Sequence, residues 1–130
     1  MTTAEFTDKM VGVPWVNRMA SFAECDCWGL VLLYYRHVIG REIHNVTGYT
    51  GHDDFVTCFN GVIVPWVLIA YPEDGCMFVA YDGSQPVHVG IVTGSTALHS
   101  RGENGHVRID RLSVLNRLYT KLEFYRYGND

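Results

Sequence analysis

A surplus of positive charge is missing from this 130-residue chain: 10 Lys and Arg stand against 14 Asp and Glu, for a formal net charge of −4. A phosphate backbone is held by a basic face that displaces its counterions, so nucleic acid is excluded as a partner. Long apolar runs are missing too. The longest candidate, Val62 to Ala70, is broken by Pro65 and falls short of the roughly 18 residues of a membrane span, so no membrane partner is expected. Charged residues make up 18% of the chain against a usual value of about 25%. With 48% hydrophobic residues, that argues against a disordered tail or a coiled coil. The first ten residues carry Glu5 and Asp8 ahead of Lys9, unlike a secretory leader, so the expectation is a protein that stays in the cytoplasm unless something carries it out. The four cysteines, at 25, 27, 58 and 76, lack the C-x-x-C pairs of a zinc ribbon and the density of a disulfide scaffold.

What is present reads as one α+β domain over residues 1–130. Thr2 and Glu5 stand at capping-box spacing before Phe6 and Met10, and Gly12 and Pro14 end the short helix they start. From Asp26, the residues Cys27, Leu30, Val31, Tyr34 and Val38 recur at helical spacing, with Gly40 placed to cap. Asp53 or Asp54 could cap a further helix carrying Phe55, Val56 and Phe59, ended near Gly61 and Pro65. After Pro72, short apolar runs alternate with Gly, Asp and Ser turn material. The strands expected there are 76–81, 87–93, 96–100 and 106–110, followed by a helix over 113–118 and a last strand over 122–127. Helices first and a strand meander afterwards predict helices packed on an antiparallel sheet.

Cys27 falls in the first turn of the strongest helix, where free N–H groups and the helix dipole favour a thiolate. Asp26 beside it works against that anion while capping the helix, so a cationic partner is needed. His88 lies in mid-strand between Val87 and Val89, whose side chains go to the other face. If the Cys27 helix packs on the His88 face, sulfur and imidazole form a thiolate–imidazolium pair. Across the Gly94-Ser95 bend, His99 falls within a register step of His88 and can fix the tautomer of its ring. Nucleophile, base and orienter are thus Cys27, His88 and His99, and this chemistry needs no metal or organic cofactor.

Taken in order, Gly12-Val13-Pro14-Trp15, Asp26-Cys27-Trp28-Gly29-Leu30-Val31, Asp74-Gly75-Cys76-Met77-Phe78, His88-Val89-Gly90-Ile91-Val92 and Leu98-His99-Ser100 resemble the motifs of NlpC/P60 cysteine peptidases. The likeness is greatest to the tail-tip peptidase domains of tailed phages, where Trp follows the nucleophile in place of Ser. The resemblance covers nearly the whole chain. It implies a papain-like α+β fold and a Cys, His and third polar residue that cut peptidoglycan stem peptides, usually after γ-D-glutamate. Cys27, His88 and His99 match those three. Where the family has a tyrosine whose hydroxyl points at the oxyanion region, this chain has Trp15, which offers an indole N–H. The family's Gly-Asp-Leu turn is inverted as Asp74-Gly75-Cys76.

The resemblance therefore implies a peptidoglycan endopeptidase of a phage or prophage tail tip, found in the virion or in host cytoplasm before assembly. Stem peptides and other tail-tip proteins are its expected partners. Two other readings stand beside it: a structural tail-tip assembly protein that keeps the fold with little activity, and the same thiol chemistry applied to a non-wall amide or acyl transfer. Cys25 is open to a metal site, a disulfide or the trapping of a sulfenate on Cys27. His37, His44, His52 and His106 read as surface or loop residues.

Overall fold

The computed structural model describes residues 1–46, 55–102 and 104–128, with Thr57 described by its backbone. Helix α1, Thr3–Met10, begins on the expected capping box: the Thr2 hydroxyl accepts from the Glu5 amide and the Glu5 carboxylate accepts from the Thr2 amide. It buries Phe6 and Met10, and the Phe6 ring meets Tyr34 edge-on at 5.6 Å. Helix α2, Cys27–Tyr34, has all eight residues buried, so it can sit only inside the molecule. Its cap is Asp26, whose Oδ1 accepts from the Gly29 amide at 2.7 Å. A π-helical turn, Tyr35–Ile39, continues α2 to Gly40, which at φ 80° provides the left-handed cap expected there. Helix α3, Phe55–Val62, carries the anticipated Phe55, Val56 and Phe59. Asp53 and Asp54, expected as its cap, and His52 lie outside the described residues.

Six antiparallel strands follow. They are β1 (Trp66–Ile69), β2 (Met77–Asp82), β3 (Gln85–Thr93), β4 (Thr96–Ser100), β5 (Val107–Arg111) and β6 (Lys121–Tyr127), in the spatial order β1-β6-β2-β3-β4-β5, with helix α4 (Leu112–Leu118) before β6. Five of the strands and α4 fall within two residues of the expected spans. The edge strand β1 was not anticipated. Its run of Trp66, Val67, Leu68 and Ile69 has no polar alternation, and pairing with β6 makes it a strand. Among the described residues, no helix is long and apolar enough to cross a membrane.

The sheet has an apolar layer on each face. On one side α2 packs over Met77, Val79, Val89, Ile91 and Leu98. On the other, Leu115 of α4 joins Cys76, Phe78, Ala80, Val92 and Ala97. Val89 and Ile91 thus face α2, while by alternation His88, Gly90 and Val92 face the α4 side. The paired positions of β3 and β4 run from Thr93–Thr96 only as far as Ile91–Leu98. Residues 88–90 lie beyond the last of them, on the stretch of β3 that carries His88.

Candidate active site

Cys27, His88, Trp15, Arg18 and Asp26 line one cavity, walled by aromatic side chains of α2 and α3 and by Met77, Val87 and Val89 of the sheet. The arrangement differs from the expected one in a specific way. His88 was expected on the face that α2 covers. It stands instead on the α4 face, in edge-on contact with Phe78 at 5.8 Å and stacked on Tyr119 at 5.9 Å. Cys27 and His88 both line this cavity, beside the end of the β3–β4 ladder. Alternation establishes that His88 and Val89 diverge, but which of them meets the helix depends on packing.

His99 is fully buried, and its Nδ1 lies 2.8 Å from His88 Nε2. Its other nitrogen, Nε2, lies 2.8 Å from Asp110 Oδ2. That last contact settles the direction of the chain. Asp110 is held ionised: burial alone would raise its carboxyl, but bonds from His99 and Arg108 more than offset this and lower it. An ionised carboxylate can only accept, so His99 donates from Nε2. Burial lowers the His99 ring further than Asp110 restores it, and the neutral ring leaves Nδ1 as an acceptor. His88 must then donate from Nε2, which leaves its Nδ1 with a free lone pair, the state a general base requires.

Asp110 is the member of this chain that the sequence reading missed. It sits on β5 two residues from Arg108, the register partner of His99, and Arg108 Nε lies 2.8 Å from it. An acid between Ile109 and Arg111 on a short exposed strand is the only sequence signal, and it resembles any solvated edge. Gly90 is a second such residue. A methyl at Gly90 would lie 2.8 Å from His99 Cβ and overlap the Phe78 ring, so the absence of a side chain there makes room for the histidine pair.

Burial pushes the Cys27 thiol up to about 12, Asp26 adds to this, and the amides of Val89, Trp28 and Cys27 act in the opposite direction. Burial lowers His88 to about 3, helped by His99 and Arg101. Both shifts favour thiol and neutral imidazole over the thiolate–imidazolium pair. Helix position favours the anion, but desolvation of a sulfur at the base of an apolar cavity outweighs it.

Trp15 lies in the cavity wall. The Trp28 indole is engaged elsewhere, donating to Asn45 Oδ1 at 2.9 Å. Cys25 is buried as a free thiol, raised by burial to about 12. Its carbonyl accepts from the Ser100 hydroxyl at 3.1 Å. All four cysteines are free, and among the described residues no three His, Cys, Asp or Glu side chains converge to hold a metal ion. His37 sits in the π-helical turn with its ring 4.8 Å from that of Phe22, and His44 and His106 are exposed.

In sequence, no family model and no curated protein matches the chain. Its fold does match solved structures. It is similar to the NlpC/p60 domain of peptidoglycan hydrolase SagA, with a TM-score of 0.62 and 16% identity over 93% of both chains. It is also similar to NlpC2 from Trichomonas vaginalis (TM-score 0.67, 18% identity, 95% of this chain and 45% of that one). A third likeness is to an NLP/P60 family lipoprotein-like protein of Staphylococcus aureus (0.61, 17%, 98% and 40%). The chain thus has the α+β fold of NlpC/P60 domains, while spanning less than half the length of the latter two proteins.

Proposed function

We propose that this protein is a cysteine hydrolase of peptidoglycan stem peptides. The observation that carries the reading is the shared cavity of Cys27 and His88, with the ring tautomer set through His99 by Asp110. His88 Nδ1 takes the thiol proton as sulfur attacks an amide carbonyl. The developing imidazolium is stabilised through His99 by the Asp110 carboxylate. Neutral groups at rest suit an apolar cavity, since charge develops only when the substrate has displaced water. The amide of Cys27 and the Trp15 indole are the donors assigned to the oxyanion. His88 then protonates the leaving amine, breaking the C–N bond and leaving a thioester on Cys27. Water, deprotonated by the same ring, releases the acid and restores the thiol.

The bond assigned is the amide after γ-D-glutamate, and the place of action is a phage or prophage tail tip. Support for both comes from the order of the motifs, with Trp28 following the nucleophile, while the NlpC/P60 fold shared with a peptidoglycan hydrolase domain supports wall hydrolysis alone. Purified walls incubated with the native chain should release soluble muropeptides, read by mass spectrometry, and Cys27→Ala should lower that release by about a thousandfold or more. Release that persists in the variant refutes the mechanism. Walls left intact by the native chain would favour the structural tail-tip reading.

A further inference from the structure

Three rings surround His88, and they are not equivalent. Phe78 meets it at 60° and His99 at 65°, both edge-on, whereas Tyr119 lies nearly parallel, with planes 17° apart and centroids 5.9 Å apart. Offset stacking of this kind sets face against face. An aromatic face carries the negative part of the ring's quadrupole and attracts a cation within about 6 Å of its centroid.

Such a face matters because the other influences on His88 oppose its protonation. Burial lowers the ring to about 3, and His99 and Arg101 act in the same direction. Asp110 reaches it through the His99 ring. Yet thiol chemistry puts a proton on His88 as the Cys27 sulfur attacks, and the Tyr119 face lies against the ring that must carry the charge.

The backbone holds Tyr119 in place from both sides. Its amide donates to the Leu115 carbonyl at 3.1 Å, and Leu115 is fully buried under the sheet. At the next residue, the Thr120 amide donates to the Tyr81 carbonyl at 2.8 Å and the Thr120 hydroxyl accepts from the Gly83 amide at 2.8 Å. The end of α4 is thereby tied to the β2–β3 turn, which fixes the ring without help from the site. Burial raises the Tyr119 phenol, Arg101 acts against this and Cys27 adds to it, so the ring stands within electrostatic reach of nucleophile as well as base.

We propose that Tyr119 is a positioning residue of the Cys27–His88 chemistry, its ring face fixing the plane of the His88 ring and stabilising the positive charge that arrives with the thiol proton. This role rests on the hydrolase reading and deepens it, and it acts at the proton transfer that accompanies any attack by the Cys27 sulfur.

Iodoacetamide probes that transfer without a wall substrate. Sulfur forms a C–S bond, the C–I bond breaks with loss of iodide, and the thiol proton passes to His88. Labelling of the full chain at neutral pH is followed by intact mass and assigned to Cys27 by peptide mapping. Position 119 carries Phe and then phenylalanines of increasing ring fluorination, which keep the ring's shape while draining its negative face. Tyr119→Phe should stay within about threefold of native, and the rate should then fall steadily, by about 3- to 30-fold in the fully fluorinated ring. Thermal melting checks folding, and if the fluorinated chains do not fold, Tyr119→Leu, which should label as slowly as the last of the series, decides. A rate that is flat across the series, or a native rate no higher than that of His88→Ala, overturns the proposal. Muropeptide release by the native chain separates the two claims. A falling series in a chain that digests no wall sinks the hydrolase reading and leaves Tyr119 standing, whereas wall digestion beside a flat series sinks Tyr119 alone.

Discussion

Removing the Asp110 carboxylate should damage the reaction from two bonds away. In Asp110→Ala, the fully buried His99 loses the acceptor of its Nε2–H, a 2.8 Å bond to an ionised group. Such a bond contributes about 1.5–3 kcal/mol. The loss falls most heavily on the transition state, where the His88 imidazolium relies on a chain ending in negative charge. At about 1.4 kcal/mol per decade, kcat should drop roughly 10- to 100-fold, with KM little changed. Without its acceptor, the His99 ring is also free to carry its proton on Nδ1. It would then donate to His88 Nε2, moving the His88 proton to Nδ1 and removing the base. Nitrogen-15 chemical shifts of the two rings report that change directly. Asp110→Asn separates the two effects, since its amide oxygen can still accept from His99 but carries no charge, so the tautomers should persist while kcat falls. Arg108→Ala, which removes a half-exposed partner of the same carboxylate, should stay within about threefold of native. Full kcat in Asp110→Ala with unchanged ring shifts would refute the chain of assignments from Asp110 to His88.

Gly90→Ala should cost about 1–3 kcal/mol in urea denaturation, because a methyl there meets His99 Cβ and the Phe78 ring inside a packed layer. Activity should fall further than stability, and a fully active, fully stable Gly90→Ala would contradict the crowding. Stability should also fall with acid. His88 is lowered to about 3 in the folded chain, against about 6.5 unfolded, so between those values the unfolded state binds the extra proton. The contribution is whole above pH 6.5 and is lost below it by about 1 kcal/mol per pH unit. His99, also lowered, adds in the same direction. In His88→Gln the slope of unfolding free energy between pH 6.5 and 4.5 should be shallower by about one proton, and an unchanged slope would show that His88 titrates normally.

The parts of the molecule that were legible in its sequence are those governed by local rules. Capping at Thr2 and Glu5, the apolar period from Cys27 and the turn at Gly94-Ser95 each act within a few residues, and each stands where expected. The pairing of His88 with His99 was within reach because a tight turn sets the register across it. What was hidden depends on distant packing. Alternation separated His88 from Val89 but did not say which would face α2. Helix position, which favours a thiolate at Cys27, is visible in sequence, while the burial that raises Cys27 and lowers His88 is not. Asp110 reads as a surface acid until β5 sets it beside His99. Arg18 gave no signal as a cavity residue, because residues scattered along the chain enclose that cavity.

Acid-quenched turnover followed by intact-protein and peptide mass spectrometry gives the most direct reading of Cys27 chemistry. With wall peptides as substrate, the account predicts an acyl adduct in thioester linkage on Cys27, missing from both Cys27→Ala and His88→Ala. An adduct on Cys25, Cys58 or Cys76, or wall digestion with no adduct in a chain lacking Cys27, would contradict it.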